Sequence, residues 1–315
     1  MGLLIVRRLT LGLVTMWVVS LLVFASTEIL PGDVAETVLG KDAPDDVVAA
    51  MRERLGLDRP AYERYWDWLR GLLTGDLGTS LGSGREISEL MDDRLWNTAR
   101  LAAITAAIAV PLAVALGLIS AMKAGSILDR SISIGTLCLI SVPEFFVAAL
   151  LVFIFAVQLH WLPALPVVRA DQSFLSSLRS LALPILTLTF AVLAHMARMT
   201  RNAVLNVLSA SYIEMAILKG VPKYQIILFH AFPNALSPII NVVALNLAYL
   251  IAGVVIVETV FSYPGLARLM VDAVATRDIP LVQACGMVFC ITYVVLNLLA
   301  DVLSILSNPR LRLPK

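Results

Sequence analysis

A single carboxylate interrupts one of the longest apolar stretches of the chain. Glu144 is the only charged residue between Ile132 and Leu159, and it directly follows Pro143. Charged side chains inside membrane spans are rare and are candidates for functional sites by default. The proline must kink or break a helix at this point. We therefore predict that Glu144 faces a solute pathway, where its carboxylate would bind an ammonium group. The alternative is a structural carboxyl group that is hydrogen-bonded inside the protein.

Three further polar residues lie on or beside another apolar stretch. Asn241 and Tyr249 are eight residues apart, which places them close to one face of a helix. Glu258 stands at the end of the same stretch. We predict that all three belong to the pathway, with Glu258 as an interface or gate residue. The alternatives are hydrogen bonds between helices for Asn241 and Tyr249, and helix capping for Glu258.

Catalytic and metal-binding patterns are absent from the sequence. Gly40-Lys41 is followed by Asp42 and lacks the earlier glycine of the nucleotide-binding motif G-x-x-x-x-G-K-[ST]. Neither H-E-x-x-H nor G-x-S-x-G occurs, and His160 and His195 have no cysteine or carboxylate at ligand spacing. We therefore predict no catalytic residue, no metal site and no cofactor on this chain. Any energy that the protein uses must then come from a partner protein or from an ion gradient.

The composition is typical of a protein whose solvent is the lipid bilayer. Hydrophobic residues make up 59% of the 315 residues, charged residues 15%, and the mean hydropathy is +0.87. Soluble domains carry about 45–50% apolar and about 25% charged residues. Backbone groups in lipid must be paired internally, which favours helices. We predict an all-α polytopic membrane protein with about six transmembrane helices, over 9–30, 101–122, 132–159, 181–197, 235–257 and 279–300. The first stretch is too long for a signal-peptide core, so we interpret it as an uncleaved span.

Basic residues distinguish the two sides of the predicted protein. The short loops of one side hold Arg7, Arg8, Lys123, Arg130, Arg198, Arg201, Lys219, Lys223, Arg310, Arg312 and Lys315. Their only acids are Asp129 and Glu214, so this side, with both termini, is predicted to be cytoplasmic. The chain then divides into an N-terminal segment with the first span (1–30), an extracytoplasmic helical insert (31–100) and a core with five spans (101–315). The net charge of +1 gives no indication of a nucleic-acid partner.

The extracytoplasmic insert is predicted to contain two helices. The first begins at Pro44 and ends at Gly56. The second begins near Pro60 and carries an aromatic row, Tyr62, Tyr65, Trp66 and Trp68. This row either lies on the membrane interface or packs against the outer ends of the spans. The following run, Gly75–Ser80, is predicted to be a turn.

The longest cytoplasmic loop, 198–234, is predicted to hold two short helices. Ser211 and Glu214 have the spacing of a capping box, with serine at the N-cap and glutamate at N3. Gly220 is a natural stop for this first helix. Two short capped helices would form a rigid element that transmits force from a partner to the spans. The alternative is a connector whose apolar face rests on lipid.

The same loop continues into a second predicted helix. Pro222 fits the first turn of this helix, and Pro233 is expected to end it. Ile213, Ala216 and Ile217 are predicted to share one face of the first helix. This pattern indicates a helix–turn–helix that lies along the inner membrane surface.

This loop resembles the membrane-subunit signature of ATP-binding cassette importers. That signature is E-A-A, a glycine six positions after the glutamate, and then I-x-L-P. It falls here on Glu214-Met215-Ala216, on Gly220 and on His230-Ala231-Phe232-Pro233, with departures at positions 215, 230 and 232. The resemblance implies that the loop is a coupling helix, seated in a groove of a separate ATPase subunit.

Motifs along nearly the whole chain resemble the first permease subunit of the dipeptide, oligopeptide and nickel importers. They are Arg7-Arg8, Pro31–Asp33, Leu55–Pro60, Gly75–Gly78, Arg198–Arg201, Glu258–Leu266, Arg277–Pro280 and Asn308–Arg312. Each motif is weak alone, and together they are highly specific. Val34, Glu214 and Asn308 depart from the usual residues of the subfamily, which loosens the assignment of a substrate.

The resemblance implies a permease subunit in the inner membrane of a bacterium, with short peptides as substrate. Nickel chelates and glutathione are the alternative substrates. The implied partners are a second permease subunit, two ATP-binding subunits that carry ATP and Mg, an extracytoplasmic substrate-binding protein and membrane lipid. An ion-coupled secondary transporter is the rival function, and only Glu144 is placed for it. A membrane-embedded enzyme is a third alternative, which no motif supports.

Overall fold

Helices form almost all of the structure. The computed structural model describes residues 2–29, 35, 39, 43–54, 56–167 and 173–307. The predictions for Pro31–Asp33, Leu55 and all residues after 307 lie outside these described residues. Within them, the elements are helices, with one isolated antiparallel bridge between Thr79 and Glu86. The predicted all-α class is confirmed.

The helices are numbered in chain order. They are α1 (Gly2–Ile29), α2 (Asp45–Arg54), α3 (Ala61–Thr74), α4 (Ile87–Met122), α5 (Ile127–Ser141), α6 (Glu144–Leu151), α7 (Phe174–Ser180), α8 (Ala182–Leu208), α9 (Ser211–Leu218), α10 (Lys223–Gln225), α11 (Phe232–Val260), α12 (Leu266–Ala275) and α13 (Ile279–Ser307). Two π-helical segments, Val152–Gln158 and Ile226–Ala231, continue α6 and α10.

Five helical stretches are long and apolar enough to cross a membrane. They are Val6–Ile29, Ile87–Met122, Ala182–Leu208, Ile226–Val260 and Ile279–Leu303. A sixth is formed if Ile127–Ser141 and Glu144–Gln158, which are bent by 102° at their break, count as one span. The prediction of about six spans is therefore confirmed, and the break falls at Pro143, where proline was expected to cause one.

Two spans extend beyond their uncharged stretches. The second span begins at Ile87 rather than near 101, and the fourth continues to Leu208 rather than ending near 197. Both extensions carry charged residues but neither glycine nor proline, so hydropathy falls while helix formation continues. The division into segments 1–30, 31–100 and 101–315 stays a prediction.

The described residues fall into two compact units. The first unit comprises those of Met1–Leu9, Ala99–Tyr263 and Val295–Lys315, and the second those of Thr10–Thr98 and Pro264–Val294. In the first unit, α8 packs against α5, α6 and α11. A Cβ atom at Gly117 of α4 would lie 2.7 Å from the carbonyl oxygen of Ala197. Only glycine therefore permits this close approach of α4 to α8.

In the second unit, α3 packs against α1. The Tyr65 hydroxyl lies 2.9 Å from the Ser20 hydroxyl, and its ring meets Phe24 edge-on at a centroid distance of 5.5 Å. Tyr65 is buried, whereas Tyr62 and Trp66 are more than half exposed. The aromatic row is thus split, with one part packed on the first span and the other part facing outward.

A buried carboxylate of the second unit connects the Arg277–Pro280 motif to the loop that follows Gly75–Gly78. Asp278, which is 3% exposed, accepts hydrogen bonds from the Ser80 hydroxyl and from the backbone N–H groups of Leu81 and Gly82, each of the latter at 3.1 Å. Asp278 also precedes the first residue of α13. It therefore joins the loop before α4 to the start of the last span.

Candidate functional site

The first helix of the cytoplasmic loop begins differently from the prediction. The N-cap of α9 is Ala210, and no side chain in the described part of the chain caps the helix. The N–H of Glu214 donates to the carbonyl of Ala210 at 3.3 Å. The Ser211 hydroxyl therefore has no free N–H to accept from at that position. The predicted capping box of Ser211 and Glu214 is wrong, and both residues are exposed on the first turn.

The end of α9 follows the prediction. Gly220 has a φ of 77°, in the left-handed region that favours glycine. Its N–H donates to the carbonyl of Ile217 at 2.9 Å, and the N–H of Val221 donates to the carbonyl of Ala216 at 3.2 Å. This pair of bonds is a Schellman motif. Pro222 then opens the next turn, since its carbonyl accepts from the N–H of Gln225 at 2.9 Å.

The predicted helix end at Pro233 is wrong. The π-helical segment Ile226–Ala231 runs directly into α11, and Pro233 lies in the first turn of α11. Proline cannot donate to a carbonyl four residues earlier, and its ring would collide with that carbonyl in an α-helix. A π turn, with bonds five residues back, is wider and accommodates the ring. The coupling loop is therefore continuous with the fifth span.

One face of α9 is buried and the opposite face is exposed. Ile213 is 0% and Ala216 8% exposed, within a cluster that also contains Ile227 of the π-helical segment. Met215 and Leu218 are 56% and 76% exposed. Phe229 on the π-helical segment is exposed as well, and we call Met215, Leu218 and Phe229 the docking surface. Ile217, which was predicted to share one face with Ile213 and Ala216, is exposed, unlike those two residues.

An ion pair between a buried carboxylate and a partly exposed arginine holds α5 against α8, the helix that leads into α9. Arg201 donates from Nε and Nη2 to the two carboxylate oxygens of Asp129, each at 2.8 Å. Asp129 also accepts from the N–H of Gly125 at 2.9 Å and from the Ser120 hydroxyl. Sequence reasoning did not identify Asp129. The sequence did contain one signal for its role, since Asp129 is one of only two acids in the short, otherwise basic loops of the predicted cytoplasmic side.

Glu144 lies at the break between α5 and α6. Its Oε2 atom is buried and has no hydrogen-bond partner in the part of the chain that the structure describes. A Cβ atom at Gly253 of α11 would lie 3.1 Å from this oxygen, so glycine lets α11 approach the carboxylate. Tyr249 of α11 is close enough to interact with the same carboxylate. A buried oxygen without a donor is costly, which argues against the hydrogen-bonded structural alternative for Oε2.

Comparison with known proteins identifies the family. Residues 113–313 match the binding-protein-dependent transport system inner membrane component, and residues 1–102 match the N-terminal region of such membrane components. The chain belongs to this family. It is therefore a multi-pass membrane subunit of an ATP-binding cassette importer and a non-catalytic component of that system. Family membership confirms the resemblance and removes the support for an ion-coupled transporter or a membrane-embedded enzyme.

Individual relatives cover almost the full length of both chains. The probable peptide ABC transporter permease protein y4tP of Sinorhizobium fredii is 35% identical over 99% of this chain and 100% of its own. The glutathione transport system permease protein GsiC of Escherichia coli K12 is 37% identical over 98% of both chains. GsiC of Salmonella choleraesuis is 38% identical over the same shares. The relatives thus include permeases named for peptides and for glutathione.

The remaining pathway candidates of this permease fall in two environments. Asn241 and Tyr249 are both exposed on α11, whereas Glu258, near its end, is 0% exposed. Burial, together with the charge of Glu258, raises the pKa of Tyr263 to about 12. Asn246 donates to the carbonyl of Val242 on its own helix at 2.8 Å. The structure therefore brings Tyr249 to Glu144 and leaves Glu258 in a separate buried position.

Proposed function

We propose that α9 and the π-helical segment after it form the element through which a separate ATPase drives this permease. The observation that carries the proposal is the docking surface, whose apolar side chains are exposed although the opposite face of α9 is packed. Soluble surfaces with several large exposed apolar side chains commonly mark contacts with other proteins. A groove on an ATPase subunit would cover Met215 and Leu218 and leave Ile213 in its present packing.

The rest of the assembly follows from this role. The permease would pair with a second permease subunit and bind two ATP-binding subunits, which carry ATP and Mg. An extracytoplasmic binding protein would deliver the solute at the side of the insert. The charge distribution of the short loops supports an orientation in the inner membrane with both termini cytoplasmic. The predicted coupling residues, Ser211, Glu214, Ala216, Gly220, Pro222 and Pro233, then all lie on the cytoplasmic side.

Force applied to α9 would reach the membrane through two continuous helices. On its N-terminal side, α9 follows α8 after two residues, and on its C-terminal side the π-helical segment enters α11 without a break. The ion pair between Arg201 and Asp129 extends the connection to α5. Closure of the ATPase pair would move these helices together, which is the rigid-body displacement that alternating access requires.

We propose a short peptide as the solute, with glutathione as the first alternative and nickel chelates as the second. Both peptide and glutathione carry an ammonium group, and the buried Oε2 of Glu144 accepts from no donor among the described residues. An ammonium group would supply that donor and neutralise the carboxylate. Tyr249 and Asn241, on the exposed face of α11, would extend the same pathway. Glu258 is proposed as an interface residue near the end of α11.

The docking proposal is tested with Leu218→Glu in the tagged chain, co-expressed with the ATPase subunits of its own gene neighbourhood. The ATPase subunits should co-purify with the parent chain, and much less with the variant, because a carboxylate in an apolar groove is desolvated. Leu73→Glu is the matched control, since Leu73 is 79% exposed on α3 of the insert and Leu218 is 76% exposed. Equal co-purification of both variants would contradict the proposal.

The pathway proposal is tested with Glu144→Gln in proteoliposomes that contain the whole transporter. Uptake of a dipeptide with a free amino terminus should fall, while uptake of its N-acetylated form should stay at the low parental level. ATPase co-purification should not change, since Glu144 lies outside the docking surface. Unchanged uptake of the free dipeptide would show that the ammonium group is bound elsewhere.

A further inference from the structure

A cavity of about 250 Å³ lies between α5 and α8, beside the ion pair of Asp129 and Arg201. Its lining comes from three helices and mixes cationic, polar and apolar side chains. The lining residues are Ser120, Ile132, Ser133, Thr136, Leu137, Ala197, Arg198, Arg201 and Asn202. In the proposed orientation, this cavity lies at the cytoplasmic ends of the spans.

The two arginines of the cavity differ in their partners. Arg201 is neutralised by the bidentate contact with Asp129. Arg198 is exposed, and it forms no hydrogen bond or ion pair with any residue in the described part of the chain. The Arg198–Arg201 motif therefore contains one structural arginine and one whose charge is left for another molecule. A guanidinium near the end of a membrane span strongly favours an anionic partner.

Further donors and an apolar border surround the Arg198 guanidinium. The Ser133 hydroxyl and the Asn202 amide also lack partners among the described residues, and both line the same cavity. Leu137 lines the cavity and is 52% exposed, and Ile134 on the same helix is 62% exposed. An acceptor with several oxygens would satisfy the donors, and an apolar chain would cover the leucine and isoleucine.

We infer that this cavity binds the phosphate of an anionic phospholipid of the cytoplasmic leaflet. Guanidinium and phosphate pair through two parallel hydrogen bonds. Basic pockets between spans on the cytoplasmic side are suited to anionic lipid head groups. Free phosphate shares the head-group chemistry, but it would leave the apolar border uncovered. A bound lipid would brace α5 against α8 next to the coupling helix. The inference rests on the proposed orientation and is independent of the docking surface.

The test measures lipid bound to the purified transporter by native mass spectrometry. Equal amounts of phosphatidylglycerol and phosphatidylcholine are added to the parent complex, to Arg198→Gln and to Arg130→Gln. The parent should retain phosphatidylglycerol in preference by about fivefold, the gain expected for one cation at an anionic head group. Arg198→Gln should lose the preference. Arg130→Gln should keep it, because Arg130 is exposed on α5 but does not line the cavity.

Two additional experiments complete the test. One distinguishes a lipid phosphate from free phosphate, and the other uses a second variant in case Arg198→Gln does not assemble. Excess inorganic phosphate should not displace the lipid, and displacement with binding of phosphate itself would overturn the lipid assignment. The double variant Ser133→Ala/Asn202→Ala keeps Arg198 and should lower the preference. An unchanged preference in this variant, or in Arg198→Gln, would overturn the inference. The same spectra count the ATPase subunits, so a failure of docking is read separately from a failure of lipid binding.

Discussion

Replacing Arg201 by alanine would leave the carboxylate of Asp129 buried without its cation. Asp129 is 4% exposed and accepts four hydrogen bonds, of which Arg201 donates two at 2.8 Å. Each hydrogen bond to a charged group contributes about 1.5–3 kcal/mol. Breaking a buried pair by removal of one partner costs about 3–5 kcal/mol in total. We expect Arg201→Ala to lower the free energy of unfolding by that amount.

The assay is unfolding of the purified protein in detergent by titration with sodium dodecyl sulfate, followed by circular dichroism. Arg130→Ala is the control, because Arg130 is exposed on α5 next to Asp129, lies outside the cavity and has no side-chain partner among the described residues. This control substitution should change the free energy of unfolding by no more than about 0.5 kcal/mol, as for an ordinary surface substitution. In the Arg201→Ala background, Asp129→Asn should restore part of the lost stability, whereas in the parent it should destabilise. A decrease in the free energy of unfolding of less than about 1 kcal/mol for Arg201→Ala would refute the reasoning, because a buried carboxylate without a cation destabilises a fold by more than that.

Three further substitutions test other parts of the structure. Asp278→Ala should lower the free energy of unfolding by about 2–4 kcal/mol, since four donors, the Ser80 hydroxyl and three backbone N–H groups, lose their acceptor. The same titration measures this loss, and parental stability would contradict the role of Asp278 in joining the loop before α4 to α13. Gly253→Ala, whose Cβ would lie 3.1 Å from Oε2 of Glu144, should reduce peptide uptake in proteoliposomes. Gly135→Ala, whose Cβ would meet no atom of the described residues within 4 Å, should not reduce it, and equal uptake by the two variants would exclude this approach of α11. Gly220→Ala should lower the free energy of unfolding by about 1–2 kcal/mol, because alanine disfavours the left-handed backbone, and it should weaken ATPase co-purification. Full co-purification would show that the end of α9 does not position the docking surface.

Local signals predicted the parts of the fold that depend on one residue or one stretch. Long apolar stretches predicted the spans because a membrane helix is defined by its own composition. Gly56 and Gly220 predicted helix ends because each has a positive φ that disfavours other residues. Pro143 predicted a break that the structure places at a bend of 102°.

The wrong predictions concern helix ends at which the local sequence allows two outcomes. The N–H of Glu214 could bond to the Ser211 hydroxyl or to the carbonyl of Ala210, and the structure has the carbonyl. Pro233 could end a helix or enter a π turn, and the sequence pattern contains no information that separates these outcomes. Hydropathy also misplaced the start of α4, because charged residues lower hydropathy without ending a helix.

Contacts between distant residues were outside the reach of sequence reasoning. Asp129 and Arg201 are 72 residues apart, and Ser80 and Asp278 are 198 apart. Each residue belongs to a recognisable loop or motif, but nothing local indicates its partner. The proximity of Tyr249 to Glu144 likewise depends on the packing of α11 against α6. The candidate site was thus predicted as separate residues, and the structure supplied their grouping.

The central claim is that ATP hydrolysed on a separate subunit drives transport through the docking surface. The most direct measurement is peptide uptake into proteoliposomes that contain the permease with its co-expressed partners and ATP on the ATPase side. The account predicts ATP-dependent uptake by the parent and by Leu73→Glu, and loss of that uptake in Leu218→Glu. Uptake that is driven by an ion gradient without ATP, or that persists unchanged in Leu218→Glu, would contradict it.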